Sequence, residues 1–156
     1  MDGMSRPEVA LHLAEEALTQ GHHVLVIGSS YGPLLRLEER LEGSAYASIQ
    51  RVREKLIEEW RQGTRRVLLY TAAACRQDAV QLAGIPCPLT AILLDREKGD
   101  GIQAIRSMVS RGTLPLLRLF DLWRGALWIW QPLQSSTLTF QHRRATGHLP
   151  LEWEET

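Results

Sequence analysis

The chain has 156 residues, 44% of them hydrophobic and 23% charged, which is the size of one domain and enough to enclose a core. This composition excludes a disordered chain, which carries fewer apolar residues and a larger net charge. Eighteen basic and eighteen acidic side chains cancel, so no overall positive field marks a nucleic-acid binder, and any such contact has to use a local patch.

In chain order, Ser5-Arg6-Pro7-Glu8 is a capping-box start with proline in the first turn. The helix it opens runs through Val9, Leu11, Leu13, Ala14, Ala17 and Leu18 and stops at Gly21. His23-Val24-Leu25-Val26-Ile27 is short, β-branched and almost wholly apolar, the pattern of a strand buried on both faces. Helices are predicted from Pro33 to Glu42, closed by Gly43, and from Tyr46 to Gln62, closed by Gly63. In the second, Ile49, Val52, Leu56 and Trp60 form one apolar stripe. Arg66 to Tyr70 reads as a strand, Arg76 to Ala83 as a short helix ending at Gly84, and Leu89 to Leu94 as another apolar strand.

After a helix from Gly101 to Arg111 the texture changes to strands, at Leu114 to Phe120, Ala126 to Trp130, Thr137 to Gln141 and Leu149 to Trp153. Leu127-Trp128-Ile129-Trp130 lacks polar alternation, which predicts a strand covered on both faces. No repeat or linker divides the chain. The expected fold is α/β, one domain over residues 1–156, with a mainly parallel central sheet flanked by helices and a strand-rich C-terminal end.

Cys75 and Cys87 are too few for a disulfide scaffold and are not spaced as a CxxC motif, which fits structural thiols in a reducing compartment. The apolar stretches are far shorter than the ~20 residues of a membrane-spanning helix, and the N-terminus shows no signal-peptide pattern. The expected location is the cytoplasm or nucleus, with no membrane contact. The histidines at 12, 22, 23, 142 and 148 lack companions at zinc-ligand spacing, so no metal is expected.

Four strings, taken in order, resemble the RecA-like ATPase core of RecA recombinases, RadA, KaiC and DnaB. Gly3-Met4-Ser5-Arg6-Pro7 running into its helix resembles the end of a Walker A motif, "GxGKT". Val24 to Ser30 is similar to the segment that ends in the catalytic glutamate, here Ser30. Leu89 to Asp95 resembles a Walker B strand with its terminal aspartate, although an ordinary buried strand with a capping carboxylate gives the same string. Leu138 to Gly147 resembles the hairpin that carries the family's arginine finger. That resemblance makes Arg143 the finger, with Arg144 as a possible second DNA or nucleotide contact; the alternative is a pair of arginines simply exposed on a hairpin.

The departures from the pattern carry the functional expectation. A phosphate loop needs a lysine for the β and γ phosphates and a hydroxyl for magnesium. The last positions of the motif hold Ser5, Arg6 and Pro7, and proline offers neither an amide hydrogen nor a metal ligand. Ser30 cannot serve as general base for an attacking water. The resemblance therefore implies a degenerate nucleotide site (Ser5, Arg6, Pro7, Ser30, Asp95), no catalytic residues, no ATP or other cofactor, and no enzyme activity. It implies a subunit that pairs with another RecA-like or DNA-processing protein in recombination, repair or replication, touching nucleic acid through that complex. A surviving enzyme that binds nucleotide through Arg6 is one further alternative, and two other readings stay open. One is a RecA-derived protein inhibitor of the SulA kind. The other is the lone second lobe of a Snf2-like helicase, to which Gln103-Ala104-Ile105-Arg106 and Arg111-Gly112 bear a loose resemblance.

Overall fold

The structure, a computed structural model, describes residues 5–46, 50–95, 101–132 and 140–144. Twelve elements follow one another: α1 (Arg6–Thr19), β1 (His23–Gly28), α2 (Tyr31–Arg40), β2 (Ser44–Tyr46), α3 (Gln50–Gln62), β3 (Val67–Thr71), α4 (Ala72–Ala83), β4 (Leu89–Leu93), α5 (Gly101–Ser110), β5 (Leu117–Asp121), β6 (Ala126–Pro132) and β7 (Phe140–Arg144). The strands form one sheet in the order β2-β3-β1-β4-β5-β6-β7. The first five are parallel, and β6 and β7 extend the sheet as antiparallel strands.

The continuous apolar runs follow from burial on both faces. In β1, Val24 and Val26 pack with Val9, Leu13 and Ala17 of α1 and Leu34 and Leu37 of α2. Leu25 and Ile27 face the opposite layer with Leu56 and Trp60 of α3, Cys75 and Leu82 of α4, and Ile105 of α5. A strand with no wet face has no polar alternation, so its side chains read as an unbroken hydrophobic string. Trp60 is fully buried and donates its indole N–H to the Leu82 carbonyl at 2.9 Å, which fixes α3 against α4.

Several boundaries differ from the sequence reading, each for a local reason. Residues 44–46 form the edge strand β2, and the helix expected from Tyr46 begins at Gln50 as α3. The outward amide of Tyr46 donates to Glu38 Oε2 at 2.8 Å and that of Ser44 to the Leu41 carbonyl at 3.1 Å. This short edge is thereby closed to pairing with another strand. Helix α2 begins at Tyr31, two residues before Pro33. The helix expected from Arg76 starts a full turn earlier, at Ala72, because the Thr71 hydroxyl accepts the Ala74 amide and caps it. The strand expected from Leu114 begins at Leu117, and the one expected over Thr137 to Gln141 is β7, Phe140–Arg144. In β6 the expected full cover holds for Ala126 and Trp130, whereas Leu127, Trp128 and Ile129 are half-buried near the end of the sheet. The strand expected over Leu149 to Trp153 lies outside the described residues.

A buried polar cluster ties α3, β3 and α4 together. Asp78 accepts from Tyr70 Oη at 2.8 Å and from Arg53 Nε at 2.9 Å. Burial first, and then the Asp78 carboxylate, push the Tyr70 phenol well above its usual range, so it is a permanent donor here.

Candidate functional site at the carboxyl edge of the sheet

In a sheet wound in both directions from its first strand, the connections diverge at one point and leave a crevice at the carboxyl ends of the strands. Here that point lies between β1, whose chain departs toward β3, and its other neighbour β4. Ser29 and Ser30 follow β1, and Asp95 follows β4. Helix α1 leads into β1 through the short Gln20–His22 turn and packs back across the sheet, so its first turn lies at the same edge. The Arg6 guanidinium sits over the ring of Trp123, 4.7 Å from its centroid, in the turn between β5 and β6.

The fold thus gathers Ser5, Arg6, Pro7, Ser30 and Asp95 along one edge, and the contacts show what each does. Ser5 accepts the Glu8 amide at 3.4 Å as the N-cap of α1, with Pro7 in the first turn. Ser30 is the N-cap residue of α2 and makes no side-chain capping bond. The half-buried Asp95 accepts the backbone amide of Ser29 at 2.8 Å through Oδ1 and its hydroxyl at 2.9 Å through Oδ2. Its two oxygens are directed at the loop before α2. Ser5 is thus bonded to its own helix and Asp95 to Ser29, while Pro7 has no amide hydrogen to donate.

Arg143 and Arg144 lie elsewhere. In backbone register they stand opposite Ile129 and Trp128, and their side chains fall outside the described residues. Strand β7 is four strand intervals from β1, about 19 Å at the usual spacing of ~4.8 Å. An arginine there is remote from its own chain's crevice. Arg106, in the string that bears the loose resemblance to a Snf2-like helicase, stacks its guanidinium over Trp130 at 4.6 Å, between α5 and β6. Burial lowers its pKa from the usual value.

The sequence reading did not find Ser29 as the partner of Asp95, nor two polar groups at the opposite edge. His22 Nδ1 lies 2.8 Å from Thr90 Oγ1, which also accepts from Arg118 Nε at 3.1 Å. Burial, then the charges of Arg118 and Arg66, lower the His22 pKa, against an opposing contribution from Glu16. His23 Nε2 lies 2.9 Å from the Trp60 carbonyl, and Cys87 Sγ lies 3.0 Å from His23 Nδ1. A carbonyl can only accept, so Nε2 carries the hydrogen and Cys87 donates to Nδ1. Burial lowers the His23 pKa and raises that of Cys87, and both groups stay neutral. Such a thiol lacks the thiolate character of a nucleophile. Among the described residues no three metal-ligating side chains gather, and no helix is long and apolar enough to cross a membrane.

No family model matches the chain, and no curated protein matches it at a significant level. Among solved structures, it is similar to the crystal structure of the Pyrococcus furiosus Hef helicase domain, with a TM-score of 0.50 and 18% sequence identity. The likeness covers 70% of this chain and 23% of the helicase-domain chain, so this chain matches less than a quarter of that protein's length. The fold is therefore of the RecA-like α/β type, with a mostly parallel sheet between helical layers and a strand-rich C-terminal end. At this level of identity the likeness defines the fold alone.

Proposed function

We propose that the chain is a catalytically inactive RecA-like subunit that acts by binding protein partners in a DNA recombination, repair or replication complex. The observation that carries this reading is the Asp95–Ser29 pair. The carboxylate at the position of a Walker B aspartate is bonded on both oxygens within the chain, beside serine where the family has its glutamate. Arg6 and Pro7 at the position of the phosphate loop support the same reading, as neither replaces the lysine and hydroxyl that hold phosphate and magnesium. In this account the chain uses no ATP or other cofactor of its own.

A RecA-like core without a working nucleotide site retains its other faces, and Arg143 is the residue proposed to reach a partner's nucleotide. An arginine supplied in trans can change a rate by several orders of magnitude. Affinity purification followed by reconstitution with the recovered partner tests the reading. Arg143→Ala is expected to assemble normally and to lower the activity of the complex. A variant equal to wild type in both assays removes the finger and leaves a scaffold or an inhibitor.

A second reading, the lone second lobe of a helicase, draws support from the likeness to a helicase domain. It predicts that the partner recovered carries the other lobe, with an intact phosphate loop. Arg106, in the string that carries that resemblance, is stacked on Trp130.

A further inference from the structure

The end of α1 is fastened to the amino edge of the sheet by a polar group. The chain leaves α1 through Gly21, at φ +84°, and the His22 amide donates back to the Ala17 carbonyl at 3.1 Å. Arg66, just before β3, donates through Nη2 to the carbonyls of Leu18 and His22, both at 3.0 Å. The buried His22 ring reaches β4, where its Nδ1 lies 2.8 Å from Thr90 Oγ1. Arg118 of β5 donates through Nε to the same oxygen at 3.1 Å and pairs through Nη1 with Glu16 of α1 at 3.4 Å. Helix α1 and strands β4 and β5 thus meet around the Thr90 hydroxyl.

That hydroxyl has one hydrogen and two lone pairs. Arg118 Nε can only donate, and it takes one lone pair. The Thr90 hydrogen then goes to His22 Nδ1, which fixes the neutral ring with its own hydrogen on Nε2. A proton added at Nδ1 turns that acceptor into a donor. Thr90 Oγ1 then faces two cationic donors, and its own hydrogen loses its acceptor in a fully buried residue. The surrounding charges oppose the same step. Arg118 and Arg66 face the ring as cations, while Glu16, paired with Arg118 and partly exposed, is the acidic side chain that favours it. His23, next in the chain, is turned to Trp60 and to the neutral Cys87 before β4.

We infer that His22 is a proton-operated latch on the C-terminal end of α1. Neutral, the ring ties that end to β4 through Thr90. Protonated, it leaves Thr90, and the last turn of α1 comes away from the sheet with the Gln20–His22 turn while β1, β3 and β4 stay paired. The last turn contributes one small buried side chain, Ala17, and the partly covered Leu18, so its release exposes little apolar surface. The central strands are held by backbone pairing and apolar packing, neither of which the proton on His22 touches. This inference goes beyond the partner-binding role proposed above and does not rest on it.

The test is amide hydrogen exchange of the full chain, read by NMR at about pH 7.5 and about pH 5.5 and expressed as protection factors, which removes the intrinsic pH dependence of exchange. The amides of Gln20, Gly21 and His22 donate into the last turn of α1 and report its release. Released, His22 titrates at the ordinary 6.5, so the step between these two pH values favours opening by at most about tenfold. Protection at the three amides is expected to fall several-fold at the lower pH, and to lie below that of Leu25 and Ile92 at both. His22→Gln should lose the fall, whereas His23→Gln should keep it, because release of this turn leaves His23 in place. Equal protection at the two pH values, a fall that persists in His22→Gln, or protection as high as in the central strands overturns the inference, the last by showing that the turn opens only when the whole chain unfolds. Should either variant fail to fold, the wild-type titration decides. The amide shifts of Gln20, Gly21 and Thr90 should then share the midpoint of the His22 ring, and a midpoint shared with His23 instead overturns the latch.

Discussion

Asp95, at the end of β4, and Ser29, at the end of the neighbouring β1, are joined by two hydrogen bonds, at 2.8 Å to the amide and 2.9 Å to the hydroxyl. The pair fastens the loop before α2 across the point where the sheet's connections diverge. Asp95→Ala removes both bonds and is expected to destabilise the protein by about 1 kcal/mol, while Ser29→Ala, which keeps the amide bond, costs less. Urea denaturation of the two variants beside wild type gives the order.

Stability is expected to fall in mild acid. His22 and His23 both have pKa values below the ordinary 6.5 because burial disfavours the charged ring. The unfolded chain therefore binds more protons than the folded one once the pH drops toward 6.5, and stability rises with pH across that window. It is fully present above about 6.5 and is lost progressively as the pH falls toward the lower folded values. Urea midpoints from pH 8 to pH 5 should decline in wild type and decline less in His22→Gln. A flat profile would contradict the buried, neutral histidines.

Ile27→Asp should leave the chain unfolded at ordinary temperature. Ile27 is buried in the central strand, and an unpaired carboxylate there costs more than about 4 kcal/mol, a large share of a domain's stability. Circular dichroism would show the loss directly.

The central strands were legible because burial on both faces leaves them almost wholly apolar, Thr90 apart, so Val24 to Ile27 and Leu89 to Leu93 announce themselves. Strand β2 was not legible, since three half-buried residues carry no period and its closure depends on Glu38, eight residues from Tyr46. The start of α4 was hidden because no glycine or proline separates it from β3, and its first turn is marked by one cap, Thr71. In the site, Asp95 was legible as the acid that ends an apolar strand. Its partner Ser29 is 66 residues away in sequence, and nothing local marks the pairing. The same holds for Arg53, Tyr70 and Asp78, on three different elements, which the fold brings to one point.

Helices α4 and α5 approach closely at Gly101. A Cβ added there would stand 3.1 Å from the Ala72 carbonyl oxygen and 3.1 Å from the Cys75 Cβ, and neither is the far end of a flexible chain. Gly101→Ala is expected to destabilise the protein by about 1–3 kcal/mol through overpacking, although alanine is the better helix former. A thermal melt that shows stabilisation would mean that the helices can part at little cost.

The most direct measurement of the central claim is the magnesium-dependent ATPase activity of the purified chain, read beside Asp95→Ala. In the proposed reading, Arg6, Pro7 and Ser30 stand where phosphate, metal and water would be held, and Asp95 is bonded to Ser29. The account predicts no phosphate release above the buffer for either protein. Hydrolysis by wild type that disappears in Asp95→Ala would contradict it and would make Asp95 a working ligand of the nucleotide's metal.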